Sequence, residues 1–283
     1  MILRSAASDI DVAPALVNPF ASDAARAHAS YHARDGGELV RQHDGAPVSP
    51  FARIAHDAFR GFVLDDAFSC LGAKSALRRE TYRFGVYERL DDGAVTEGLA
   101  RDLYAFTADR QGFESDFTTF VAVFREHEPL DELAFERRLW SQLQRLHDLD
   151  ARYHAWDARV SNDPENPKFS FSVAGDAFFV IGMHPGASRT ARRFAWPTLV
   201  FNAHEQFENL RADGRFGGLQ RQIRERELRL DGVLNPNLSD YGRHSEARQY
   251  SGRPAGETWT CPFKAKRWTE PLTTSASLGL NSS

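Results

Sequence analysis

The chain has 283 residues, 42% of them hydrophobic and 26% charged, with a formal net charge of -4 and 2 cysteines. This composition excludes a disordered chain, a strongly basic binder of nucleic acid or anionic membrane, and a disulfide-built scaffold. No apolar run nears the roughly 20 residues of a bilayer span, and MILRSAASDIDVAP lacks the apolar stretch of a secretory leader, so a cytoplasmic protein is expected.

Residues 1–45 are rich in Ala, Asp, Arg and His with weak periodicity, and read as a loosely packed arm. Pro50 to Val63 reads as a helix with Ser49 as its N-cap. AKSALRRE after Cys70 predicts a short helix and TYRFGVYERL a strand; 95–111 fits an amphipathic helix. FTTFVAVF over 117–124 is a nearly continuous apolar run, the pattern of a central strand buried on both faces. Residues 131–155 form the clearest helix, with Leu139, Leu143, Leu146, Leu149 and Tyr153 on one stripe. FSFSV, a turn at Gly175-Asp176 and AFFVIGM predict a hairpin. TLVF is a further strand, with Asn202 able to cap the next helix, and 216–230 is a highly charged helix. From Asp231 onward Gly, Pro, Asn and Ser dominate, predicting loop and tail. The fold expected is a single mixed α+β domain over 46–263, its central, mainly antiparallel sheet flanked by helices, followed by a tail at 264–283. The count of 21 Phe against 2 Met points to an aromatic core or cofactor pocket.

Four constellations could carry chemistry. Cys70 stands just before a helix, whose free N–H groups favour a thiolate able to ligate iron or act as a nucleophile; the alternative is a buried structural thiol. In MHPGASRTARR, a helix after Pro185 would put Arg189, Arg192 and Arg193 on one face, suited to carboxylates or phosphate, unless that face is merely solvated. His184 ends a strand, and His204 borders the apolar stripe Ala203, Phe207, Leu210, where it could ligate a metal or be an ordinary boundary residue. The polar stretch from Asn235 through Gly242-Arg243 and SEARQYSGR to WTCPF is an exposed tail or the lining of a site for a charged substrate. Walker A, HExxH, GxSxG, paired CxxC and Rossmann signatures are missing from the sequence.

Taken together, FSCLGAKSAL, FSFSVAGDAFFVIGMHPGASRTARRF, FNAHEQFENLR, SEARQYSGR and WTCPF resemble the YqcI/YcgG family over roughly residues 60–263. Characterised members bind haem b and act on amino-acid-derived compounds of natural-product pathways. Some hydroxylate a guanidine nitrogen, and relatives close nitrocyclopropane rings on nitro-containing lysine derivatives. The resemblance therefore implies a haem-dependent oxidative enzyme of secondary metabolism with a small amino-acid-like substrate, dioxygen and an electron donor or peroxide. It implies one axial ligand among Cys70, His184 and His204, with Cys70 favoured, because Ser-Cys-Leu-Gly looks like the Cys-x-Gly turn of thiolate-ligated haem oxygenases. Arg189, Arg192, Arg193 and Lys74 would hold the cofactor. Cys70, His204 and Glu246 would take part in catalysis, and Glu246, Arg248 and Gln249 would hold the substrate. Two other readings stand beside it: a cysteine-nucleophile enzyme using Cys70 with His184 or His204, and a haem carrier or gas sensor.

Overall fold

The computed structural model describes residues 17–234 and 244–266. Among these, the strands are β1 (His32–Asp35), β2 (Glu38–Arg41), β3 (Tyr82–Tyr87), β4 (Thr119–Phe124), β5 (Phe171–Val173), β6 (Asp176–Met183) and β7 (Thr198–Ala203). The helices are α1 (Asp23–His28), α2 (Pro50–Leu64), α3 (Leu71–Arg79), α4 (Gly93–Asp109), α5 (Glu132–Asp150), α6 (His204–Ala212), α7 (Phe216–Asp231) and α8 (Ala247–Tyr250). The seven strands form one sheet in the order β2-β1-β3-β4-β7-β6-β5, with β3 and β4 parallel and every other neighbour antiparallel. No described helix is long and apolar enough to cross a membrane.

Central strand β4 explains the layering. All six of its residues are buried; Phe120, Ala122 and Phe124 enter the core under α4 and α5, while Val121 and Val123 enter the core under α2 and α3. Alternation along β7 follows the same rule, with Leu199 and Phe201 on the first face and Val200 on the second. Ser49 caps α2 through the Ala52 N–H as its sequence predicts, and the β5–β6 turn sits on Ala174 and Gly175, both at positive φ. Along α5, Leu139, Leu143 and Leu146 are buried, whereas Tyr153 lies beyond its end and is 45% exposed.

The sequence expectation fails in two places here. Residues 17–45 are no loose arm: they supply α1, β1 and β2, and bury Phe20, Ala25, Tyr31 and His32. Elements of four to six residues span too few periods to register as amphipathic. Asn202 caps nothing, because β7 runs on to Ala203; the Asn202 side chain instead donates to the Phe179 carbonyl, and α6 starts without a side-chain cap. Residues 235–243, part of the predicted polar stretch, lie outside the described residues.

Candidate functional site

Cys70 is the N-cap of α3, and its Sγ accepts a hydrogen bond from the Ala73 N–H at 3.5 Å. Burial pushes the thiol pKa up, while the N–H groups of Ala73 and Gly72 and the guanidinium of Arg192 pull it down. At Gly72 the backbone runs against the Phe117 ring, and a Cβ would lie 2.8 Å from it. Phe68, just before this turn, stacks edge-on to Phe62, which in turn meets Phe194. The half-buried thiol thus has an aromatic wall beside it.

The three arginines do not line up as the sequence suggested. Only a single 3-10 turn forms, at Thr190–Arg192, so no common helical face exists. Arg192 turns inward and donates to the carbonyls of Gly182, Gln249 and Tyr250, tying β6 to α8. Burial lowers its pKa to about 10, still cationic at neutral pH, against the pull of the Glu227 carboxylate. Arg189 is 9% exposed and donates to the Val233 carbonyl at 2.9 Å, with Asp231 at 3.5 Å. Arg193 folds back onto the carbonyls of Ala187 and Ser188 and stays exposed. Arg192 therefore shares the Cys70 neighbourhood, while Arg189 and Arg193 are tied to backbone carbonyls elsewhere.

A fourth charge completes the cluster. Burial raises the Glu227 carboxyl pKa, against the pull of Arg189 and Arg192. Glu227 Oε2 and Arg189 Nη2 are both buried without a hydrogen-bond partner. Sequence reasoning did not find Glu227, which sits in a helix carrying charge on all sides. Lys74 is turned away from the cluster: its Nζ donates to the carbonyls of Asp65 and Asp66 at 2.6 and 3.3 Å, closing the end of α2.

The two histidines lie far from one another. Phe178 pairs with Ala203 and Met183 with Thr198, so His204 and His184 follow opposite ends of the β6–β7 ladder. The His184 ring stacks on Phe135 at 4.4 Å, and burial lowers its pKa against a hydrogen bond with the Leu130 backbone. His204 Nε2 stands 3.3 Å from Glu208 Oε1, and burial lowers its pKa as well. Neither histidine hydrogen-bonds Cys70. Among the described residues no three His, Cys, Asp or Glu side chains converge as a metal cage.

Glu246, Arg248 and Gln249 knit the C-terminal segment to the sheet. The Glu246 carboxyl accepts from Ser170 and Tyr250 at 2.8 and 2.6 Å, and burial raises its pKa to about 8. Arg248 donates to the carbonyls of Ala255, Gly256 and Trp259, and Gln249 offers its carbonyl to Arg192. None of the three lines either of two open cavities elsewhere, of about 490 and 430 Å³. The larger cavity is walled by Arg110, Arg159, Asp176 and Glu205, residues scattered through the chain, whose charges already pair with one another. No sequence spacing could reveal it.

Residues 59–264, which hold β3 to β7 and α3 to α8, match the model of the YqcI/YcgG family. The chain belongs to the YqcI/YcgG family. It is 27% identical to a Bacillus subtilis (strain 168) protein called "Uncharacterized protein YcgG" over 223 residues, covering 75% of this chain and 87% of that one. It is 30% identical over 135 residues to "Uncharacterized protein YqcI" of the same organism, covering 46% of this chain and 52% of that one. No solved structure matches it. Three segments of the matched region meet around Arg192: SCLG through Cys70, the β6 end through Gly182, and SEARQYSG through Gln249 and Tyr250.

A haem needs one axial donor and cationic partners for its two propionates, and this donor set suits it. Cys70 provides a thiol at a helix N-terminus, and Arg189 keeps one buried N–H group unused.

Proposed function

We propose that this YqcI/YcgG chain is a haem-dependent oxidative enzyme acting on an amino-acid-derived substrate, with Cys70 as the axial ligand. The observation carrying it is the Cys70 cluster: a half-buried thiol hydrogen-bonded by Ala73, beside Arg192, with an unused donor on Arg189. Haem ligated by a thiolate supplies the activation of dioxygen or peroxide that oxidation of an unreactive nitrogen or carbon requires. The chain's own residues do the holding. The Ala73 and Gly72 N–H groups and Arg192 stabilise the sulfur anion, because positive dipoles and charge lower the cost of losing its proton. Arg189, through its unused Nη2, would hold a carboxylate on the cofactor rim by a charge-assisted hydrogen bond. Phe62, Phe68 and Phe194 offer apolar contact and keep water from the face they cover.

His184 and His204 fit the ligand role less well. His184 is packed against Phe135 in the core, and His204 is held by the carboxylate one turn along α6. The cysteine-nucleophile reading requires a base in hydrogen-bond reach of Cys70, and no histidine is there.

Absorbance of the purified protein, and of the protein titrated with haemin, tests the proposal. The expected result is a Soret band whose ferrous–CO form is red-shifted in the manner of thiolate ligation, lost in Cys70→Ser. Arg189→Ala should retain haem more weakly, by the roughly 1.5–3 kcal/mol of a charge-assisted hydrogen bond. A protein that stays colourless after haemin titration would overturn the proposal. A thiolate-type spectrum that survives Cys70→Ser would remove Cys70 from it.

A further inference from the structure

The larger cavity, of about 490 Å³, falls within the roughly 300–1,000 Å³ of small-molecule sites. It opens at the end of the sheet where β4 and β6 begin and β7 ends, with Thr118, Asp176 and Ala203 in its wall. Asp176 starts β6, whereas Gly182, the anchor of Arg192, lies near the other end of that strand, so the cavity is separate from the Cys70 neighbourhood. Two buried side chains in its wall keep polar atoms unused. Thr118 and Gln206 are each 6% exposed. Gln206 Oε1 accepts from the Thr118 N–H at 3.0 Å, which fixes the amide and leaves Nε2 as a donor. Among the described residues neither Gln206 Nε2 nor Thr118 Oγ1 has a hydrogen-bond partner. Buried polar groups are nearly always hydrogen-bonded, so these two need a partner that the chain itself does not supply. Helix α6 adds donors beside them. It starts at His204 without a side-chain cap, and its first-turn N–H groups have no acceptor within the helix.

The charges of the wall are already spent on each other. Arg110 donates to Asp176 at 2.8 Å and to Glu205 at 3.2 Å, and Arg159 donates to Asp176 at 3.2 Å. An anion would meet Asp176 and Glu205, and a cation would meet the two arginines, so an ion gains little here. Neutral hydrogen-bonding capacity remains on both sides. Glu205 and Asp116 each give one oxygen to an arginine, and the second oxygen, Oε1 or Oδ1, has no partner among the described residues. Those oxygens accept, while Gln206 Nε2 and the α6 N–H groups donate. Adjacent hydroxyl groups answer such a wall, because each of them both donates and accepts. Phe113, with the Arg83 guanidinium 4.5 Å over its ring, supplies an apolar patch suited to the C–H face of a ring.

We propose that this cavity binds a neutral ligand with adjacent ring hydroxyls, a sugar, held between the donors of Gln206, Thr118 and α6 and the acceptors of Glu205 and Asp116. The site stands apart from the haem reading, since none of these side chains hydrogen-bonds Cys70, Arg189 or Arg192.

Saturation-transfer NMR on the full chain with D-glucose, D-galactose and D-ribose, followed by titration of the sugar that shows contact, tests the site. At least one of the three should receive saturation from the protein. Thr118→Val removes the hydroxyl while keeping the shape of the side chain, and no internal hydrogen bond goes with it. Gln206→Glu keeps the oxygen that accepts from the Thr118 N–H and removes the amide donor. Each should weaken the sugar roughly two- to tenfold, as loss of one ordinary hydrogen bond does, with a thermal midpoint within a few degrees of the parent. If Gln206→Glu does not fold, Thr118→Val alone decides. Arg137→Ala, exposed on α5, should bind as the parent does. Saturation of none of the three sugars would overturn the proposal, and so would a sugar affinity that neither substitution alters. L-Arginine or inorganic phosphate bound in place of a sugar, and weakened by both substitutions, would overturn the neutral class of the ligand.

Discussion

At neutral pH the Glu246 carboxyl keeps its proton, because burial raises its pKa from 4.5 to about 8 against the hydroxyls of Tyr250 and Ser170. The unfolded chain releases that proton as pH passes 4.5, while the fold retains it to about 8. The stability linked to it is therefore full below 4.5 and is lost as pH rises to about 8. Glu246→Gln cannot ionise, so its unfolding free energy should vary less with pH across that window. Urea melts at both edges check this, and parallel pH dependence in the two proteins would contradict it. Cys70→Ser is the complementary case. Serine is a good N-cap and can accept from the Ala73 N–H as Sγ does, so the midpoint of thermal unfolding of the haem-free protein should stay within a few degrees of the parent. Loss of haem in that variant with an unchanged melt would assign the effect to ligation and not to folding.

Docking of α1 on α4 depends on one missing methyl group. A Cβ at Gly98 would strike the His28 carbonyl at the end of α1, and backbone cannot yield as a side-chain tip can. Nearby, Asp102 Oδ2 accepts from the Ser30 N–H and the Tyr87 hydroxyl at 2.6 and 2.7 Å, fixing the chain that leads from α1 into β1. Gly98→Ala raises helix propensity by about 1 kcal/mol and still should destabilise the protein, because overpacking costs about 1–3 kcal/mol. Chemical denaturation measures the net sign, and early proteolytic cuts between Ala29 and Asp35 would locate the damage. At this scale much was legible in the chain. The five-residue apolar run of β4, the Ser49 cap and the leucine stripe of α5 carry their own signals. Short α1 and β1 carry almost none, since α1 packs on α4 and β1 on β3, partners more than forty residues away, such as Phe84 opposite His32, and β2 in turn pairs with β1.

One carboxylate gathers several ties to the last described segment. Glu136 in α5 accepts from the Ser251 hydroxyl, the Trp259 indole N–H and both Nε and Nη2 of Arg253. Removing one partner of a buried ion pair strands the other, so Glu136→Ala should cost roughly 3 kcal/mol and free residues 251–263 for proteolysis. Equal urea midpoints for parent and variant would contradict that. By itself, the sequence determined the fold class, the buried central strand, the cap of α2 and the hairpin, because each is written in neighbours a few positions apart. It also placed Cys70 at a helix start. Tertiary structure alone decided that Arg192 shares Cys70's surroundings while Arg193 and Lys74 turn elsewhere. It decided, too, that His184 and His204 stand at opposite ends of a ladder, and that Glu227 keeps one buried oxygen without a hydrogen-bond partner. Those relations join positions as distant as 70 and 192, and no local periodicity encodes which charges will meet once the sheet has closed.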